Sequence, residues 1–130
     1  TIPKKYKKKY LQSKNIFFLG RVPRTKLRTT YLKATAMICL GYDETFCLNA
    51  LEANSCGLPV ITFGKTALNE LIKNNYNGFI VNNFNELSDK ILFFLKNNNK
   101  SIKKIRENSL LFSKKYHPSI IIYKWLKLLK

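Results

Sequence analysis

Two carboxylates, Glu44 and Glu52, stand eight residues apart, with Asp43 beside the first and Glu70 further on. The chain carries only 7 Asp+Glu against 24 Lys+Arg, so four acids between positions 43 and 70 form a local concentration. Eight residues of helix span about 12 Å, close to the reach of a nucleoside diphosphate with a sugar attached. A carboxylate accepts hydrogen bonds from hydroxyls and repels phosphate. Two of them at this spacing suit hydroxyls at the two ends of a ligand whose anionic middle is held by other groups. Spacing alone leaves a plainer reading equally open. Glu44 can be a first-turn carboxylate favoured by the helix dipole, and Glu52 an ordinary exposed helix residue.

The groups for the anionic middle come from the backbone. The apolar run "AMICLG" ends at Gly41, and a helical pattern is expected from near Thr45. The amides of Thr45, Phe46, Cys47 and Leu48 would then be the donors that a first helical turn leaves unpaired, a natural phosphate site.

The elements around this junction read as an alternation. "NIFFLG" (15–20), "AMICLG" (36–41), "PVITF" (59–63) and "NGFIV" (77–81) are short, continuously apolar runs, as buried strands should be. Between and after them lie helical patterns: "PRTKLRTTYLKA", "ETFCLNALEANSCG" closed by Gly57, "ALNELIKNN", "NELSDKILFFLKNN", "SIKKIRENSLLFSKKY" and "PSIIIYKWLKLL". Strands that are apolar throughout and alternate with helices predict an α/β fold: a parallel sheet of about four strands, helices on both faces, and a helical C-terminus. In such sheets ligands bind at the C-terminal strand ends, which is where Glu44 falls. Residues 1–14 read as a basic tail or helix, and 15–130 as one unit, a partial Rossmann-like domain.

Composition narrows the remainder. The formal net charge of +17 allows an anionic membrane, nucleic acid or a phosphate-bearing substrate as partner. The lysines are spread along the chain, as a general compositional bias also gives. No nucleic-acid signature is present, so no nucleic-acid partner is expected. Cys39, Cys47 and Cys56 show no CxxC spacing and only His117 accompanies them, so no metal site is expected and the thiols read as reduced and mostly buried. His117 before Pro118 reads as a turn residue. Trp125 and Ile120–Ile122 read as core or interdomain packing. "GKT" at 64–66 resembles the end of a P-loop, but Pro59 stands where that motif needs Gly. No secretory signal is present, and the absent initiator Met leads us to expect a cut or processed chain.

"ETFCLNALEANSCGLPVITF" resembles the signature of retaining glycosyltransferase family four, which has the GT-B fold. Glu44, Glu52, Ala53, Gly57, Pro59 and Val60 stand at its characteristic places. The similarity runs from about Asn15 to Leu95. It implies the donor-binding portion of an enzyme that moves a sugar from a nucleotide diphosphate sugar to a glycan or lipid-linked acceptor. Glu44 would contact the transferred sugar as the catalytic residue, and Glu52 would bind the ribose. The Thr45, Phe46, Cys47 and Leu48 segment would meet the diphosphate. Gly20, Arg21 and Val22 would line the nucleobase pocket, and Glu70 would be structural. The resemblance implies no metal or other cofactor.

Departures accompany the likeness. Thr45 and Cys47 replace glycines usual on both sides of the Phe, and "FGKTALNE" keeps only Gly64 of a Gly pair. Two further strands, an Arg and a Lys for the diphosphate, and an acceptor domain would precede this portion, so the chain alone is expected to be inactive. A cytoplasmic location is expected, with peripheral contact at the inner face of an anionic membrane. The competing readings are a basic module for anionic membrane or nucleic acid, and an inactive gene remnant.

Overall fold

A computed structural model of the chain describes residues 13–41, 46–63, 68–96 and 100–129. Its elements alternate as expected: α1 (Arg24–Lys33), β1 (Met37–Cys39), α2 (Leu48–Ser55), β2 (Val60–Phe63), α3 (Leu68–Leu71), β3 (Gly78–Val81), α4 (Phe84–Lys96) and α5 (Lys100–Ser113). A 3-10 turn (Lys114–Tyr116) and a last helix, α6 (Pro118–Leu128), complete the chain. The strands form one parallel sheet in the order β1-β2-β3, with Met37 opposite Val60 and Val60 opposite Gly78.

Alternation along each strand divides the core into two clusters, one per face. Val60 faces Ala50, Ala53, Leu58, Leu68, Leu71 and Ile72 from α2, α3 and their flanks. Ile61, Phe63, Phe79 and Val81 face Leu87 and Phe94 of α4 and Ile105 of α5. On that second face Phe79, Phe93 and Phe94 meet edge to face with ring centroids 5.5–5.6 Å apart, the arrangement aromatic quadrupoles favour. β2 and β3 are covered on both faces, which explains why their sequences are apolar throughout, whereas Ile38 of β1 stays exposed.

Helix ends follow local chemistry. α2 closes with Gly57 at φ +68, Leu58 N–H donating to Ala53 C=O at 2.9 Å and Gly57 N–H to Asn54 C=O at 2.9 Å. This is the paired Schellman closure, with Leu58 and Ala53 in the same apolar cluster. At the start of α4, Glu86 N–H donates to Asn83 Oδ1 (2.9 Å) while the Glu86 carboxylate accepts from Asn82 N–H (2.9 Å), a capping arrangement. His117 caps α6, its Nδ1 accepting from Ser119 N–H at 3.4 Å, with Pro118 at the first helical position. It is the turn residue expected.

Three expectations need correction. Asn15–Gly20 is not a strand; Phe17 is 79 % exposed and Gly20 sits at φ +61. Among the described residues 15–20 has no ladder partner, and the sheet has three strands rather than about four. Second, α2 begins at Leu48, not near Thr45, because Cys47 is buried in the core in a non-helical conformation (φ −82, ψ 87). Third, no residue of α6 is buried, so Trp125 and Ile120–Ile122 are not core residues of this chain.

α5 fixes which edge of the sheet is closed. Arg106 donates to Ala34 C=O (3.2 Å), Asn108 to Tyr76 C=O (3.0 Å) and Ser109 Oγ to Asn77 C=O (3.1 Å). Leu110 packs beside Gly57. Ala34, Gly57 and Asn77 each precede a strand, so α5 runs under the N-terminal strand ends. The C-terminal ends lie at the opposite edge, the one ligands use in such sheets.

Candidate functional site

The junction between β1 and α2 carries most of the proposed residues. Glu44 and Thr45 lie outside the described residues, as do Asp43 and the "GKT" positions. Phe46 is exposed and its ring lies 6.2 Å from that of Tyr116. Cys47 is the N-cap of α2, with its side chain buried. The Leu48 amide donates to Phe46 C=O at 3.1 Å, so it is already engaged and differs from the open donor the sequence led us to expect. Among the described residues, none accepts from the amides of Phe46 or Cys47.

Glu52 lies on the second turn of α2 and faces α1. Its carboxylate oxygen is 3.7 Å from an Arg24 guanidinium nitrogen. The Arg24 side chain is 92 % exposed, so this pair adds little stability. Arg24 occupies the first turn of α1, where no acidic residue is present and the helix dipole disfavours a cation.

A cleft of about 220 Å³ opens between α1 and α2, lined by Arg24, Leu27, Arg28, Tyr31, Glu52 and Cys56. Burial, then the neighbouring Glu52 and the Cys56, Cys47 and Cys39 thiols, push the Tyr31 phenol above its usual range. It therefore keeps its proton at neutral pH and can donate a hydrogen bond. Gly20, Arg21 and Val22 lead directly into α1, which brings them to the Glu52 side of the molecule. Arg21 is exposed and Val22 half-buried. Glu70 is exposed on α3, and its charge adds to burial in raising the Tyr116 phenol.

The cleft residues of α1 were not among those expected. Their signal was present: 24, 27, 28 and 31 follow the spacing that places residues on one helix face. Among the described residues, no group of three His, Cys, Asp or Glu side chains could hold a metal ion.

Comparison with known proteins identifies the family of the chain. The family model of the glycosyl transferases group 1 matches residues 3–111. An uncharacterized glycosyltransferase of Methanocaldococcus jannaschii is 33 % identical over 104 residues, covering 78 % of this chain and 29 % of that protein. The C-terminal domain of a glycosyl transferase group 1 family protein, LpcC, from Francisella tularensis superposes with a TM-score of 0.71 at 26 % identity. That match covers 86 % of this chain and 59 % of the crystallised one. The chain thus spans under a third of the curated relative's length. On the family match, the parallel α/β sheet and the shared domain structure, the chain belongs to the glycosyl transferases group 1, as a domain of the GT-B type.

Proposed function

We propose that this chain forms the donor-binding face of a glycosyltransferase that takes a sugar from a nucleotide diphosphate with retention of configuration, the acceptor being held by another domain. The observation that carries the reading is Glu52, set on α2 at the wall of the α1–α2 cleft, within the segment matched by the family. There its carboxylate accepts hydrogen bonds from two ribose hydroxyls, Arg24 moving aside. The Phe46 and Cys47 amides face the diphosphate at the start of α2, where the helix dipole favours an anion. Glu44, eight residues before Glu52, is assigned the transferred sugar. Gly20, Arg21 and Val22 border the base. Charge neutralisation by amides and basic side chains needs no metal. The net charge of +17 draws an anionic donor toward the domain.

The test uses a longer protein that joins this domain to an acceptor half, titrated calorimetrically with a panel of nucleotide diphosphate sugars. Glu52→Ala is expected to weaken donor binding by about 10- to 100-fold, the equivalent of one or two charge-assisted hydrogen bonds. Arg24→Ala is expected to change it by less than about 3-fold, as an exposed pair allows. Unaltered affinity and transfer in Glu52→Ala would overturn the assignment.

A second reading, contact with an anionic membrane, is favoured by α6. Ile122, Trp125, Leu126 and Leu129 share one side of it and are more than half exposed, with Lys124 and Lys127 opposite. An apolar stripe backed by lysines is the pattern of a helix lying in a lipid interface. No helix among the described residues is long and apolar enough to cross a membrane. The chain is expected to sediment with vesicles containing anionic phospholipid and not with zwitterionic ones. Trp125→Glu should lower that binding at least tenfold. Equal binding to both vesicle types, or to neither, assigns the stripe to docking on another domain instead.

A further inference from the structure

Cys39 and Cys47 are eight residues apart in sequence, a spacing that identifies no motif. The fold brings their sulfur atoms to 3.6 Å. Cys39 ends β1 and Cys47 is the N-cap of α2, so neither is locked inside a long regular element. Between them run residues 40–46, which include Glu44. Cys56, the third thiol, is held apart in the wall of the α1–α2 cleft. All three are thiols in this structure.

We propose that Cys39 and Cys47 form a reversible disulfide that ties the end of β1 to the start of α2. A disulfide sulfur–sulfur distance is about 2.05 Å, so the two atoms must close by roughly 1.5 Å. Side-chain rotation with a small shift at the N-cap supplies this. Cys39 is half-buried and Cys47 is 3 % exposed, so Cys39 meets the oxidant first.

The oxidant is a small-molecule disulfide such as oxidised glutathione. The Cys39 thiolate attacks its sulfur–sulfur bond and expels one glutathione thiolate. The Cys47 thiolate then attacks the mixed disulfide at the Cys39 sulfur and expels the second. The two cysteines give up two protons and two electrons. One oxidised glutathione becomes two reduced molecules. Dithiothreitol reverses the exchange.

The sequence makes the pairing directly readable. Trypsin releases Ala34–Lys65 with all three cysteines, and cleavage after Glu44 and Glu52 divides it into 34–44, 45–52 and 53–65, one cysteine each. After incubation of the chain with oxidised glutathione and blocking of remaining thiols, the 34–44 and 45–52 peptides are expected to be cross-linked. The 53–65 peptide is expected to carry the blocking group or a glutathione adduct. Hydrogen exchange at residues 48–51, the start of α2, is expected to slow at least tenfold on oxidation and to recover with dithiothreitol. The same segment in Cys39→Ser and Cys56→Ser marks the two controls: insensitive in the first, responsive in the second.

A bond involving Cys56, or adducts with glutathione alone, overturns the pairing. A Cys39–Cys47 bond that leaves exchange at 48–51 unchanged overturns its role in tying α2 to β1. Neither measurement requires donor binding, so failure here leaves the donor-site reading standing, and failure of that reading leaves the disulfide.

Discussion

Gly78→Ala is expected to abolish the cooperative fold of this domain. Gly78 opens β3 and pairs with Val60 of β2, the central strand. A Cβ placed there falls onto the Val60 carbonyl oxygen, with Ile72 Cγ2 at 3.0 Å and Val60 C at 3.1 Å. Val60 and Ile72 are fully buried, so nothing at this point can yield toward solvent. β2 and β3 must part, and their four-residue pairing is longer than that of β1 and β2. Overpacking costs about 1–3 kcal/mol where side chains can shift, and occasionally more; a clash with backbone belongs at the upper end or beyond. Against a domain stability of about 5–15 kcal/mol, that is a large share. Thermal unfolding followed by circular dichroism should show Tm lowered by at least about 10 °C, or no transition. Ile80→Val, two residues along the same strand and half-buried, should cost no more than about 1.5 kcal/mol. Equal behaviour of the two variants would refute the close approach of β2 and β3.

Much of this architecture could be read from the residues, for physical reasons that also mark where reading stops. "PVITF" and "NGFIV" are apolar throughout because each strand is covered on both faces, and that pattern survives in sequence. "NIFFLG" has the same pattern and no covered position. Burial depends on partner strands, which a local run does not encode. The start of α2 was misplaced because helical periodicity does not reveal that Cys47 is fixed in the core in a non-helical conformation. Glu52 was legible as a candidate through its spacing from Glu44. Its neighbour Arg24 was not, since the contact crosses two helices and 28 positions of sequence. The Cys39 and Cys47 contact is of the same kind. A strand end and a helix start converge only because the β1–α2 connection is short. α6 gave a false signal of burial. Its apolar residues are at helical spacing, and spacing states that a helix has an apolar side without stating what covers it.

Charge and fold answer different questions in this chain. Among the described residues the lysines are exposed, apart from the half-buried Lys90, and both core clusters stay apolar. What they change is the cost of keeping a carboxylate such as Glu52 beside an anionic ligand. In a strongly basic field that carboxylate repels phosphate less, and its function becomes the directional one of accepting from hydroxyls.

Asn77→Ala is the second change expected to have a large effect, and its effect reaches the site. Asn77 is fully buried in the turn between α3 and β3. Its Nδ2 donates to Leu71 C=O at 2.8 Å, and its Oδ1 accepts from Lys73 N–H at 2.7 Å. Alanine leaves that carbonyl and that amide without the partners Asn77 supplies, at about 1–3 kcal/mol for each buried group. Asn77→Asp should be worse, because it deletes the donor to the Leu71 carbonyl and places a charge in a fully buried position. Ser109→Ala should be milder, about 1 kcal/mol, since it removes only a hydroxyl bonded to the Asn77 and Ile105 carbonyls. The turn matters beyond its own stability. Ser109 and Asn108 bind α5 to it, and α5 packs along α2, which carries Glu52. Loosening the turn should therefore raise hydrogen exchange first in α5 and then in α2, with α4 on the opposite face less affected. If exchange rises equally in α4, the domain opens as a whole and α5 is not the strut that holds the cleft. If it rises in α5 and α2 together, the geometry of Glu52 depends on an asparagine placed at the far edge of the sheet.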